Sequence, residues 1–172
     1  TVAGVLTGAS LDISGDIDID GTTNLDVLDV DGAANFAADV TFADGADIIT
    51  ASAGTSNFRA GVNAGNSIAS GGNYNVVVGD EAGTALTTGD NNVVIGFGAG
   101  DALTTGGQNV ALGYLALSTE DGHGSNVAIG RQALENQNAG AEAYNVAIGS
   151  LAGNDITTGV RQTLIGGLAG DA

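Results

Sequence analysis

The segment "NNVVIGFGAGDALTTGG", residues 91–107, is followed directly by "QNVALGYLAL", residues 108–117, which begins the same phrase again. The core of the phrase is Asn, Val, then Val or Ala, then an aliphatic residue, then Gly. It occurs nearly unchanged at Asn75–Gly79, Asn92–Gly96, Asn109–Gly113, Asn126–Gly130 and Asn145–Gly149. Such regular repetition indicates a protein built from identical structural units.

The repeat extends beyond these copies. A variant copy, Gln162–Gly166, follows them, and a degenerate copy, Asn57–Gly61, precedes them. The glycines that close the copies lie at positions 61, 79, 96, 113, 130, 149 and 166. The period is therefore close to 17 residues, and we call one period a rung. A period of this length is typical of a solenoid, in which stacked units bury a core that no single unit can bury.

The core phrases have the composition of short β-strands. They are β-branched and bounded by Gly, while Gly inside a helix costs about 1 kcal/mol relative to Ala. In residues 93–95, Val93 and Ile95 are expected to face one way and Val94 the other. The recurring Thr-Thr pairs predict a second strand on another side of each rung. The sequence thus predicts an all-β parallel β-solenoid, or β-roll, of about seven 17-residue rungs.

Stacking of identical rungs gives the repeated residues a structural role. The recurring Asn is predicted to form an amide ladder, and the recurring Gly to provide corners with positive φ. The predicted ladder positions are Asn57, Asn75, Asn92, Asn109, Asn126, Asn145, Gly61, Gly79, Gly96, Gly113, Gly130, Gly149 and Gly166.

Composition excludes several functions. The 172 residues include 30 Gly, no Cys and only three basic residues against 20 acidic ones, for a net charge of −17. Nucleic-acid binding requires many Lys and Arg contacts to phosphates, so we expect no nucleic-acid partner. The chain contains no 18-residue apolar run, which predicts no membrane insertion.

Residues 10–47 have a different pattern. Apolar residues and aspartates alternate in "LDISGDIDIDG", and ten of the 20 acidic residues lie between positions 12 and 47. This predicts an acidic shaft segment of short strands at 1–50, a connection at 51–56 and the repeat roll at 57–172. The chain begins without Met and ends within a repeat, so we expect it to be part of a longer protein.

The phrase "NVAIG", followed by Ala-Gly and a Thr-Gly turn, resembles the NSVAIG-type repeats in the head domains of trimeric autotransporter adhesins. Tail-fibre proteins of bacteriophages carry similar repeats. The resemblance covers residues 57–172 and implies a left-handed parallel β-roll that packs as a homotrimer around a threefold axis. The adhesin repeat is shorter, and the rungs at 113–149 lack the Thr-Thr-Gly side. The thin, Ala-rich core independently predicts an obligate oligomer, because burying one Val or Ile is worth only about 1.5–3 kcal/mol.

The acidic segment resembles phage-fibre shafts, and it favours a viral protein over a bacterial one. The expected function is a structural segment of a phage tail fibre, a rigid trimeric spacer or adhesin for host-cell attachment in the virion. Its expected partners are other virion tail proteins and an unidentified host-cell receptor. The alternative is the head of a trimeric autotransporter adhesin on a bacterial cell surface. A fibre-borne depolymerase would require a groove of carboxylates and aromatics that the sequence does not contain.

Candidate chemical motifs are weak. Asp16–Gly21 matches the start of an EF-hand loop, but Val27 stands where a bidentate Glu is required; a cation held by stacked carboxylates of three chains is the alternative. His123 is the only histidine and is predicted to be an exposed loop residue, because zinc needs several ligands; three His123 side chains on a trimer axis would be the exception. Gly96–Gly100 lacks the Lys of a phosphate loop. We therefore expect no enzyme activity, no cofactor, and no catalytic, cofactor-binding or metal-binding residues.

A few side chains are suited to hold a sugar or a protein surface: Tyr74, Phe97, Tyr114, Tyr144 and Arg131. Packing in the core, or at a seam between chains, is the expected role of each.

Overall fold

The structure is a computed structural model that describes residues 52–170, together with the single residues Ala34 and Thr50. The predicted acidic shaft, including the Asp16–Gly21 segment, therefore lies almost entirely outside the described residues. Residues 52–170 all belong to one compact unit, Gly45–Ala172.

Seven strands of three residues each follow one another along the chain. They are β1 Phe58–Ala60, β2 Val76–Val78, β3 Val93–Ile95, β4 Val110–Leu112, β5 Val127–Ile129, β6 Val146–Ile148 and β7 Thr163–Ile165. Each pairs in parallel with the next, in one sheet of order β1 to β7. Each strand residue pairs with the equivalent residue of the next rung, so that Val76 lies opposite Val93 and Val93 opposite Val110. The predicted all-β parallel solenoid is confirmed, with about 17 residues per rung and about six turns.

The second strand predicted for each rung is wrong for the described residues. The Thr-Thr segments form bends rather than strands, although they do bond between rungs. The N–H of Thr87 donates to the carbonyl of Thr104 at 2.9 Å, and the N–H of Thr104 donates to the carbonyl of Asp121 at 2.6 Å. The rungs of Thr87-Thr88 and Thr104-Thr105 are neighbours that both contain the pair, but a glycine follows each pair at once, so the bonded segment is too short to form a strand.

The interior is narrow and filled by three positions in each rung. These are the middle residue of the strand, the alanine three residues after the closing glycine, and the residue seven after it, which is aliphatic in four rungs. In the rung of β3 they are Val94, Ala99 and Leu103, all with no exposed surface. Val93 and Ile95 are half-exposed on the opposite side of the strand, as the alternation predicts.

Neighbouring rungs fill the same interior volume in two ways. A Cβ built on Gly100 would lie 2.8 Å from Cδ1 of Leu103 and 3.3 Å from Cγ1 of Val94, so these two side chains together leave little room for a side chain there. In the next rung the strand residue is Ala111, and Leu117 occupies the position of Gly100. In the rungs of β4 and β5 the leucine thus offsets the volume lost from Val to Ala, in keeping with the close packing of protein cores.

The closing glycines are required for two reasons. Their φ angles lie between 123° and 140°, a region that L side chains rarely adopt. A Cβ on Gly96 would also lie only 2.5 Å from the carbonyl oxygen of Gly113 in the next rung. The close stacking of the rungs thus leaves no space for a side chain at any closing glycine that has a following rung stacked on it.

Three glycine-to-alanine substitutions separate these two effects. Gly166 has φ 123° but no atom within 4 Å of its Cβ position, and Gly167 has neither constraint. We expect Gly167→Ala to be near neutral and Gly166→Ala to cost about 1–3 kcal/mol for the backbone alone. Gly96→Ala adds the steric clash and should cost more than about 3 kcal/mol. The measurement is chemical denaturation of each variant, and equal losses for Gly96→Ala and Gly166→Ala would contradict the steric argument.

Candidate functional site

The asparagines of the ladder lie inside the solenoid and connect the rungs. The N–H of Asn92 donates to Oδ1 of Asn75 at 2.9 Å, and the N–H of Asn109 donates to Oδ1 of Asn92 at 2.9 Å. The Nδ2 of Asn92 donates across the interior to the carbonyl of Gly106 at 2.9 Å and also to Asn75 Oδ1 at 3.1 Å. The Asn92 side chain therefore ties its rung to the preceding one and closes its own turn, and Asn75 makes the same set of bonds; in the rung of β5, Nδ2 of Asn126 lacks a partner among the described residues.

The sheet exposes an apolar surface on the side that faces away from the ladder. We define the outer face as the first and last residues of β2 to β6. These residues are Val76, Val78, Val93, Ile95, Val110, Leu112, Val127, Ile129, Val146 and Ile148. All are half-exposed or exposed, with Leu112 at 38% and Ile148 at 37%. In a chain with a net charge of −17, these positions contain no charged residue.

The parallel register aligns the outer face into two columns. Rungs in a parallel sheet are spaced by about 4.8 Å, so each column presents one aliphatic side chain at this interval. Contiguous apolar surface is uncommon on monomeric soluble proteins and marks sites of interaction. The outer face is the candidate functional site of the described residues.

Aromatic side chains flank the ends of the strands. Phe97 and Tyr114 each follow a closing glycine and stack in successive rungs, with ring centroids 5.6 Å apart and planes inclined by 12°. Tyr74 and Tyr144 each precede a ladder asparagine. All four are between 48% and 60% exposed, so the expected core packing is wrong for them. A role at a seam between chains stays a prediction.

The other singled-out side chains are not gathered with the aromatics into one site. Arg131 is exposed, one position after the closing glycine Gly130, in the column that also holds Phe97 and Tyr114. His123 is not the exposed loop residue that we expected: its side chain is 31% exposed, and Nδ1 lies 3.4 Å from Oε1 of the buried Glu120. Glu120 was missed, although counting seven residues from Gly113 would have placed it in an aliphatic column.

No protein-family model, no curated protein and no solved structure matches this chain. Among the described residues there is also no helix of the length and hydropathy needed to cross a membrane. Functional inference therefore depends on the geometry of the repeat itself.

The ladder is expected to make a large contribution to stability. Asn92→Ala removes the donor to Gly106 and the acceptor for Asn109, and it leaves both backbone groups buried without partners. Each such orphaned group costs about 1–3 kcal/mol, so we expect a loss of about 3 kcal/mol in the free energy of unfolding. Asn66→Ala, at an exposed asparagine, is the matched control and should change stability by about 0.5 kcal/mol or less. Equal effects of the two substitutions in urea denaturation would contradict the role of the ladder.

Asp101 is expected to make stability depend on pH. Burial raises the pKa of the Asp101 carboxyl above its usual 3.8, and the Glu81 carboxylate adds to the effect. The folded state then disfavours the ionised form, so this group lowers stability at neutral pH and ceases to do so as the pH falls toward 3.8. Asp101→Asn should raise the melting temperature at pH 7, and the gain should shrink at acid pH. Asp80→Asn removes one exposed charge and controls for net charge; an equal gain in both variants would contradict the burial argument.

Proposed function

We propose that this chain is a structural segment of a trimeric fibre, which holds a binding region away from the particle or cell that carries it. The observation that carries the proposal is the uncharged outer face, which runs along the sheet of a strongly acidic chain. An apolar surface that repeats with the rung is suited to an equally periodic partner, and a second copy of the same chain is such a partner.

Stiffness is supported by bonding between rungs at several points of the circumference. At the sheet, the N–H of Val93 donates to the carbonyl of Asn109 at 2.8 Å. Beyond the closing glycine, the N–H of Gly100 donates to the carbonyl of Ala116 at 2.9 Å. The ladder adds side-chain bonds in the interior. Bending the solenoid would require several of these bonds to break together, which suits a spacer.

The thin core supports association. Ordering a residue costs about 1–2 kcal/mol, and much of each rung's interior is alanine, which contributes little buried area. Burial of the outer face against other copies would add apolar area without changing the fold. A strand of three residues is only about 10 Å long, and this length sets the width of the outer face. Three such narrow faces can meet around one axis, and the two columns of side chains from each face would fill the core between them.

The sequence resemblance guides the biological setting. Together with the acidic segment at 1–50, it favours a phage tail fibre over other fibrous proteins. In this proposal the chain lies in the virion, contacts other tail proteins and supports attachment to a host-cell receptor. The described rungs serve as support and carry no catalytic role.

A second candidate is the head of a trimeric autotransporter adhesin, in which the roll itself binds cells or matrix. The exposed aromatics favour it, because Tyr and Phe supply much of the contact area in protein and sugar recognition. The candidates differ in whether the roll binds a surface directly. Both require the trimer, so the oligomeric state is the first test.

We expect the chain to have a solution mass three times the 16.6 kDa of one copy, measured by light scattering coupled to size exclusion. Ile95→Glu places a charge within the outer face and should shift the mass toward the monomer. Thr105→Glu adds the same charge at an exposed position away from the sheet and should leave the mass unchanged.

Two outcomes would contradict the proposal. A monomer of 16.6 kDa that stays folded at micromolar concentration would remove the need for outer-face burial. A trimer that withstands Ile95→Glu but dissociates with Thr105→Glu would place the interface on another side of the solenoid.

A further inference from the structure

One interior column of the solenoid has aliphatic residues in most rungs and polar residues in two of them. The position seven residues after the closing glycine is aliphatic in four rungs, as Ile68, Leu86, Leu103 and Ile156. In the two adjacent rungs of β4 and β5 it is Glu120 and Gln137, both with no exposed surface. A buried carboxylate is costly unless it is paired, hydrogen-bonded or bound to a metal, so Glu120 needs a partner.

The described residues satisfy Glu120 only in part. Its Oε1 accepts from the N–H of His123 at 3.1 Å, whereas its Oε2 is buried without a hydrogen-bond partner among them. The Nδ1 of His123 is also buried and unpartnered, although it lies 3.4 Å from Oε1 of Glu120. Asp121 brings a second carboxylate to the same place. One ligand atom from each of the three residues lies within 4.8 Å of the others.

We propose that Glu120, Asp121 and His123 form a binding site for a divalent transition-metal ion of the zinc class. Two ligands bound to one tetrahedral ion at 2.0–2.2 Å are about 3.4 Å apart, and Nδ1 of His123 already lies at this distance from Oε1 of Glu120. Imidazole nitrogen combined with carboxylate oxygen suits Zn²⁺ better than Ca²⁺ or Mg²⁺, which prefer oxygen ligands alone. Three protein ligands leave a fourth position for water.

Hydrogen bonds from the preceding rung hold the backbone of the proposed site in place. The backbone carbonyl of Asp121 is fixed by the N–H and the hydroxyl of Thr104, at 2.6 and 2.9 Å. The Asp121 side chain is exposed and that of His123 is partly exposed, so an ion can reach the site from solvent. The ion's positive charge would compensate the buried carboxylate, which explains why this rung tolerates Glu120 in an aliphatic column.

The test uses the untagged chain, stripped with a chelator and titrated with Zn²⁺ by calorimetry, with melting temperatures recorded in parallel. We expect one Zn²⁺ per chain, a higher melting temperature with Zn²⁺, and at least tenfold weaker binding of Ca²⁺ and Mg²⁺. His123→Ala and Glu120→Gln should each weaken Zn²⁺ binding at least tenfold. Asp80→Asn, which removes a carboxylate elsewhere on the surface, should leave it unchanged.

Glu120→Leu is the control that distinguishes loss of the binding site from loss of folding. It restores the residue type of Leu86 and Leu103, so the ion-free variant should melt above the ion-free parent and gain nothing from Zn²⁺. Three results would overturn the proposal: no heat of binding with millimolar Zn²⁺; equal binding of Zn²⁺, Ca²⁺ and Mg²⁺ that His123→Ala does not change; or full Zn²⁺ stabilisation of Glu120→Leu. The second result would indicate general attraction of cations to the acidic surface.

Discussion

Everything in this fold depends on the backbone hydrogen bonds that join each rung to the rung before and after it. A three-residue strand has no hairpin partner, so its N–H and C=O groups are satisfied only if the next rung places the same atoms one period later. The repeated sequence follows from this requirement. The ladder bond from the N–H of Asn109 to Oδ1 of Asn92, and the side-chain-free contact of Gly96 with Gly113, both require identical residues at identical depth.

The same stacking creates the outer face. Side chains alternate along a strand, and the interior is wide enough for only the middle residue of each strand, so the two flanking aliphatic residues must point outward. A solenoid with a single sheet has no second layer of its own to cover them. The apolar columns are thus a geometric consequence of a narrow core, and their retention as Val, Ile and Leu, in a chain where acids outnumber bases by 20 to three, favours a covered surface in the assembled protein.

Much of the fold was predictable because the 17-residue period is evident in the amino-acid sequence. The seven strands, their parallel order and the side that Val94 faces all follow from the spacing of Asn and Gly. The second strand at the Thr-Thr side was predicted wrongly because the β-preference of threonine is local: Thr87-Thr88 and Thr104-Thr105 lie in neighbouring rungs and still form bends, since a glycine ends each pair at once. Left-handed corners at Tyr74 and Gln132, with φ 59° and 57°, left no signal because their side chains do not resemble those of a turn. The candidate metal residues form no recognisable motif, because Glu120 stands out only when it is compared with the aliphatic residues at the same position of other rungs.

Departures from the repeat carry information that the repeat itself does not. If stiffness were the only requirement, the rungs of β4 and β5 would be expected to copy β3, with an aliphatic residue at the seventh position and a Thr-Thr-Gly side. Instead they exchange Val for Ala in the strand, gain Leu117 and Leu134 in the core, and place Glu120 and Gln137 in the aliphatic column. The Leu exchange conserves interior volume and needs no further explanation. Both polar substitutions lower apolar burial in a core that has little of it. Gln137 accepts a hydrogen bond from Nδ2 of Asn145 at 2.8 Å, whereas Oε2 of Glu120 has no partner among the described residues, so the proposed bound cation accounts for Glu120 better than simple drift of the repeat does.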